Sequence, residues 1–118
     1  MAIRGVGIDI VETRRIRDIC EREPAFVGRV FTETELHYCQ SRRNKFLHLA
    51  VRFAAKEAVA KAFGRSFSWQ DVEIESCANG APRVRLWGNA AEAAGGARVH
   101  VSLSHTGDYA TAVAVLED

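Results

Sequence analysis

The longest run of helical periodicity lies between Phe46 and Gly64, FLHLAVRFAAKEAVAKAFG. At about 100° per residue, with Phe53 as zero, Phe46, Leu49, Phe53 and Ala60 fall within roughly 40° of one direction. The spacing predicts a long helix with that stripe toward the core and Gly64 as its C-cap. Glu57 falls on the same stripe. An ionised carboxylate there is costly unless an Arg, a Lys or a metal ion pairs with it. Arg52 and Lys56 project to one side of the stripe and Lys61 to the other. A plain Glu57–Lys61 pair at i,i+4 is the simplest partner.

Ile3 to Val11 alternates Val6, Ile8 and Ile10 with Gly5, Gly7, Asp9 and Val11, the period of a strand. Apart from Arg4 at its start, Asp9 is the one charge in the run, so its face is solvated or it has a buried role. The two glycines leave room for another backbone or a ligand. Glu12 to Glu23 reads as a helix with Ile16, Ile19 and Cys20 on one side and Arg14, Arg15 and Arg17 off it. Three arginines make a solvated face or a docking surface for an acidic partner. Ala25 to Val30 reads as a short helix or turn. Thr32 to Glu35 matches a capping box, opening a helix over Glu33 to Ser41.

Ser66 to Trp69 reads as a loop. Asp71 to Cys77 alternates as a half-exposed strand, turning at Asn79-Gly80 and returning through Arg83 to Trp87. Asn89 reads as the N-cap of a short helix that stops at Gly95-Gly96. Arg98 to Ser104 and Tyr109 to Leu116 form a last hairpin, with His105 and Thr106 at its tip beside Ser104. That tip is either ordinary surface or a small anion site built from hydroxyls, an imidazole and backbone N–H groups. The order of elements predicts an α+β fold: one domain over 1–118, with the long helix packed on a mainly antiparallel sheet.

Composition narrows the class. The chain has 118 residues, a net charge of +1 and three cysteines. That charge argues against a protein that coats nucleic acid. Cys20, Cys39 and Cys77 form no CxxC pair, so neither a disulfide framework nor a zinc site is expected. No run approaches the length of a membrane span, and no leader is evident. A reducing cytoplasm is the expected setting.

Three stretches carry a resemblance when taken together: Gly7-Ile-Asp-Ile-Val-Glu12, Arg52-Phe-Ala-Ala-Lys-Glu-Ala58 with Lys61, and Ser102-Leu-Ser-His-Thr106. In this order and spacing the chain resembles the holo-[acyl-carrier-protein] synthase group of 4′-phosphopantetheinyl transferases, over essentially its whole length. The resemblance implies transfer of the 4′-phosphopantetheine arm of coenzyme A to a serine of an apo acyl carrier protein, releasing adenosine 3′,5′-bisphosphate. It implies a magnesium ion held by Asp9 and Glu57, and a homotrimer with active sites between subunits. Glu57 and Lys61 are then the catalytic candidates. Arg52, Lys61, Gly64, Ser104, His105 and Thr106 are the coenzyme-binding candidates. Arg14, Arg15 and Arg17 become the surface for an acidic carrier, of the fatty-acid or polyketide kind. The long helix is expected to align Arg52, Glu57 and Lys61 along one diphosphate.

The chain departs from the family after Gly64, where a second glycine-rich turn is missing and the loop is about four residues shorter than the family pattern implied by the resemblance. Val51 also stands where a glycine is common. A coenzyme A or carrier-binding module without turnover is the alternative reading.

Overall fold

The computed structural model describes residues 2–118. Strand β1 (Ile3–Glu12) leads into helix α1 (Thr13–Arg22), α2 (Pro24–Val30) and α3 (Glu33–Gln40). The long helix α4 (Lys45–Phe63) follows. A 3-10 turn at Trp69–Asp71 opens the hairpin β2 (Val72–Ser76) and β3 (Pro82–Leu86). Helix α5 (Gly88–Ala94) precedes the hairpin β4 (Arg98–His105) and β5 (Tyr109–Glu117). All pairing is antiparallel, in a three-stranded sheet β1-β5-β4 and a two-stranded sheet β2-β3. No helix among the described residues is long and apolar enough to cross a membrane.

Helix α4 lies on the three-stranded sheet with no side chain between it and the start of β1. A Cβ on Gly5 would sit 1.8 Å from the carbonyl oxygen of Ala62, and one on Gly7 would sit 1.9 Å from that of Ala58. The room left by the two glycines is therefore filled by a backbone. Two strand residues advance about 6.6 Å and four helix residues about 6 Å. The two elements thus stay in step, and Asp9, next in that row, comes level with the turn before Ala58.

The core face of α4 is not the expected one. Ala50, Ala54, Ala55, Ala58 and Ala62 are buried against the sheet, with Leu47 and Val51. Of the expected stripe Leu49 is buried, while Phe46, Phe53, Glu57 and Ala60 are only half-buried, with the two phenylalanines packed against the edge of the core. Small side chains let α4 approach β1 so closely, and that approach outweighs the larger phenylalanines. Glu57 is therefore not a charge buried in the core. The buried charges of α4 are Arg52 and Lys56.

The ends of elements follow local chemistry. Thr32 and Glu35 form the capping box, each side chain taking the other's backbone N–H. Gly64 closes α4 with φ 72°, a left-handed cap. Asn89 is not a cap, because α5 starts one residue earlier. Gly88 turns there at φ 51°, with the Asp71 carboxylate 2.9 Å from where a Cβ would stand. Strand β2 is also less exposed than its alternation predicts. Glu73 is buried and accepts from the Thr32 hydroxyl at 2.6 Å and the Trp87 indole at 3.4 Å.

The sheet face turned away from α4 carries Val6, Ile8 and Ile10 from β1, all largely exposed. Their cross-strand neighbours are Val115, Val113 and Thr111, followed on β4 by His100, Ser102 and Ser104.

Candidate active site

Asp9 reaches the surface at the junction of β1 and α4. The Lys61 ammonium stands 3.2 Å from its Oδ1 and 3.0 Å from the Ile8 carbonyl oxygen. A helical side chain covers the turn before its own Cα, which brings both Lys61 and Glu57 back toward Asp9. Burial and the Asp9 charge hold the Glu57 carboxyl above the usual glutamate range, while Lys61 and Arg15 pull it back down. Asp9, Glu57 and Lys61 thus form one electrostatic cluster, with Arg15 acting on it from α1.

The donor set suits magnesium better than a softer ion. It offers two hard carboxylates from two elements, and Mg²⁺ takes one or two of these and completes its shell with water and phosphate oxygens. Among the described residues no group of three or more His, Cys, Asp or Glu forms an all-protein cage. In this arrangement Lys61 supplies the positive charge beside Asp9.

Arg52 stands apart from that cluster. It is five residues from Glu57, a rotation of roughly 140° around the helix. It faces the far edge of the sheet, where β4 lies two strands from β1. The expected alignment of Arg52, Glu57 and Lys61 along one diphosphate does not occur within one chain. Arg52 is 4% exposed. It donates to the Ser76 hydroxyl at 3.0 Å and the His48 carbonyl at 3.4 Å, and lies 4.2 Å from the Tyr38 ring centre. Its Nε is buried with no acceptor. It lines a cavity of about 300 Å³ with Tyr38, His48, Ser76, Ser102 and His105. A buried guanidinium with neutral neighbours and an idle donor suits an anionic ligand.

The hairpin tip divides its work. Ser104 and His105 are exposed, and the His105 ring borders the Arg52 cavity. Thr106 takes part in the turn: its hydroxyl accepts from the Asp108 and Tyr109 N–H groups, and its own N–H donates to the Tyr109 carbonyl at 2.9 Å. Thr106 therefore shapes the tip, with its backbone N–H engaged there and its hydroxyl proton still able to be donated.

The shortened loop after Gly64 is pinned onto α4. Phe63 meets Phe67 edge-on at 5.1 Å, and Phe53 stacks on Trp69 at 5.1 Å. Lys56 donates to the Trp69 carbonyl at 2.9 Å and to the Val72 carbonyl, and pairs with Glu35 at 2.9 Å. Glu35 also accepts the Ile74 N–H at 2.7 Å. A cavity of about 180 Å³ opens beside Glu57, lined by Lys56, Phe67, Ser68, Trp69 and Val72. Sequence reading found Glu35 as a capping residue and Lys56 as a flank of the stripe. It missed that the two meet, because the contact joins residues from separate helices.

On α1, Arg14 and Arg17 are exposed and pair loosely with Asp18 and Glu21 at 4.0 and 3.7 Å. With Thr13, Asn44 and Phe46 they border a wide surface hollow.

Two carboxylates beside a lysine, and a separate basic cavity, suit a ligand with several phosphates. Residues 5–114 match the 4′-phosphopantetheinyl transferase superfamily. The chain is 44% identical to a holo-[acyl-carrier-protein] synthase of Koribacter versatilis, with 98% of this chain and 99% of that one covered. It is 46% identical to the synthase of Streptomyces coelicolor, with 99% of each covered. Among solved structures, the acyl carrier protein synthase of Mycobacterium tuberculosis superposes with a TM-score of 0.84 at 39% identity, over 98% of both chains. That of Helicobacter pylori, solved in complex with coenzyme A, gives 0.84 at 29% identity, over 95% of this chain and 99% of that one. The chain belongs to the holo-[acyl-carrier-protein] synthase group of the 4′-phosphopantetheinyl transferase superfamily, and it is an enzyme of that class.

Proposed function

We propose that the protein transfers the 4′-phosphopantetheine arm of coenzyme A to a serine of an apo acyl carrier protein, releasing adenosine 3′,5′-bisphosphate in a magnesium-dependent reaction. The observation that supports this most directly is the Asp9–Glu57–Lys61 cluster at the β1–α4 junction. Asp9 and Glu57 would hold the metal, whose chemistry is neutralisation of the diphosphate as charge builds on its oxygens. Lys61, freed from Asp9, donates to a diphosphate oxygen and stabilises the same charge. The carrier serine attacks the phosphorus next to the pantetheine. The bond from that phosphorus to the bridging oxygen breaks, and the bisphosphate leaves. Glu57, a metal-bound water or a deprotonated Lys61 would accept the serine proton. Arg52 and His105 bind the 3′-phosphate in the acid-free cavity, which takes up the idle Nε of Arg52.

The two halves of the site lie over opposite edges of one sheet, which favours completion by a second subunit. The outer sheet face offers the means: Val6, Ile8, Ile10, Val113 and Val115 form a continuous apolar patch. A patch of that kind on a soluble chain marks an interface. We place the contacts of a homotrimer there, with each active site shared between neighbours. Arg14 and Arg17, with Arg15 beside them, receive the acidic carrier.

The test is transfer itself. The protein is incubated with coenzyme A, Mg²⁺ and several apo carriers, and the carriers are weighed by mass spectrometry. Gain of the phosphopantetheine arm is expected. No gain on any carrier overturns the reading.

A further inference from the structure

The basic cavity contains one side chain that neither the motifs nor the proposed chemistry uses. His48 lies one turn before Arg52 on α4 and is half-buried. Its ring centre is 6.4 Å from that of His105 and 5.9 Å from that of Tyr38. The opposite contacts of Tyr38 are cationic: Arg42 lies 4.4 Å and Arg52 4.2 Å from its ring centre. Two arginines and His48 are thus gathered around one tyrosine, with His105 against His48. Among the described residues, none of the four has a carboxylate within 4.0 Å. The unpartnered Nε of the buried Arg52 shows separately that the cluster lacks an acceptor.

We propose that His48 is a specificity residue for the 3′-phosphate of coenzyme A, donating to the same phosphate group as Arg52 and His105. The proposal rests on the coenzyme A-dependent reading given above. An imidazolium N–H reaches a phosphate oxygen at about 2.7–2.9 Å. Two rings 6.4 Å apart, centre to centre, can therefore each take a different oxygen of one tetrahedral group. A coenzyme lacking the 3′-phosphate leaves both donors idle, and the preference between the two ligands measures the contact.

The proton balance gives a second signature. Without an anion, burial first, then Arg52, His105 and Arg42, hold His48 below the ordinary histidine value, which favours its neutral form. The other groups facing the cavity are Tyr38 from α3, Ser76 from β2, and Ser102 and His105 from β4, none of them an acid. A phosphate in the cavity supplies the missing negative charge and favours the imidazolium. Binding therefore takes up a proton, and affinity rises as pH falls through the range where free His48 is neutral. The phosphate titrates nearby, so the signature is the difference between wild type and variant at each pH.

Titration calorimetry on the full chain tests this with coenzyme A and 3′-dephospho-coenzyme A, between pH 6 and 8. Wild type, His48→Gln and His48→Phe are compared, with thermal unfolding as a check on folding. Each variant is expected to bind coenzyme A about 10-fold more weakly at pH 6.5, the loss of one charge-assisted hydrogen bond. Binding of the dephospho ligand should change less than about twofold, and the rise in affinity on acidification should flatten. Equal weakening of both ligands, or no weakening, overturns the proposal and makes His48 a packing residue. So does a wild type that fails to distinguish the two ligands, even while it modifies a carrier. A wild type that neither binds coenzyme A nor modifies any carrier overturns the transferase reading instead.

Discussion

Lys56 and Glu35 form an ion pair of 2.9 Å whose side chains are 1% and 0% exposed, one residue away from the half-exposed Glu57. Neighbours on one helix thus meet opposite surroundings. Lys56 has three oxygen acceptors, matching the three protons of its ammonium. Burial lowers its affinity for the proton and Glu35 restores part of it. The pair joins α3, α4 and the loop that walls the cavity beside Glu57.

Removing one partner strands the other. Lys56→Met should cost about 3–5 kcal/mol, because it leaves a buried, uncompensated Glu35. Adding Glu35→Gln should recover part of that loss, since the amide oxygen still accepts from the capping N–H. Chemical denaturation of the single and double variants measures both. A neutral Lys56→Met would show that the pair carries no such weight.

The carboxylate cluster should report metal binding through pH. Burial and Asp9 raise the Glu57 pKa above its value in the unfolded chain. In the window from the ordinary glutamate value up to the raised one, the folded state holds more protons than the unfolded state. Stability therefore falls as pH rises through that window. A divalent cation bound between Asp9 and Glu57 removes the repulsion and favours the ionised pair. Mg²⁺ should raise the melting temperature at pH 7.5 and have little effect at pH 4.5. Asp9→Asn and Glu57→Gln should each abolish the Mg²⁺ shift and suppress transfer. An undiminished shift in both variants would place the metal elsewhere.

The glycines of β1 set the approach of α4, so they control the cluster from below. A Cβ at Gly7 would meet the Ala58 carbonyl at 1.9 Å and the Lys61 Cβ at 2.9 Å. Neither the helix backbone nor the strand can yield without displacing Lys61 from Asp9. Gly7→Ala should cost about 1–3 kcal/mol by overpacking and lower kcat in the fraction that folds. Stability and single-turnover transfer, measured together, check this. Full stability with full activity would mean that α4 can move off β1 freely.

The same residues show what could be read from the sequence. Alternation in β1, the Thr32–Glu35 capping box and the Gly64 cap are local signals, and each element falls where they predict within a residue or two. Periodicity weights the large phenylalanines over the alanines and so points to the wrong inward face of α4. Contact with glycines on another strand, 50 or so positions away, made the small residues the core face. The buried Lys56–Glu35 pair and the acid-free ring around Tyr38 join side chains from different elements. No single-element periodicity encodes them.

The outer face of the sheet carries the contacts of the proposed homotrimer. Ile8 is 64% exposed and sits at the middle of the apolar patch, paired with Val113 across the ladder. Burying one such side chain in an interface contributes about 1.5–3 kcal/mol, and a threefold assembly repeats the contact. Ile8→Glu places an unpaired carboxylate in the same position and should convert the assembly to folded monomers, read by light scattering and far-ultraviolet dichroism. The side chain points away from α4, so Asp9, Glu57 and Lys61 keep their mutual geometry. If each active site is completed by a neighbouring subunit, the monomer should lose transfer while still binding Mg²⁺. A monomeric Ile8→Glu that transfers at the wild-type rate would show that one chain contains the whole site.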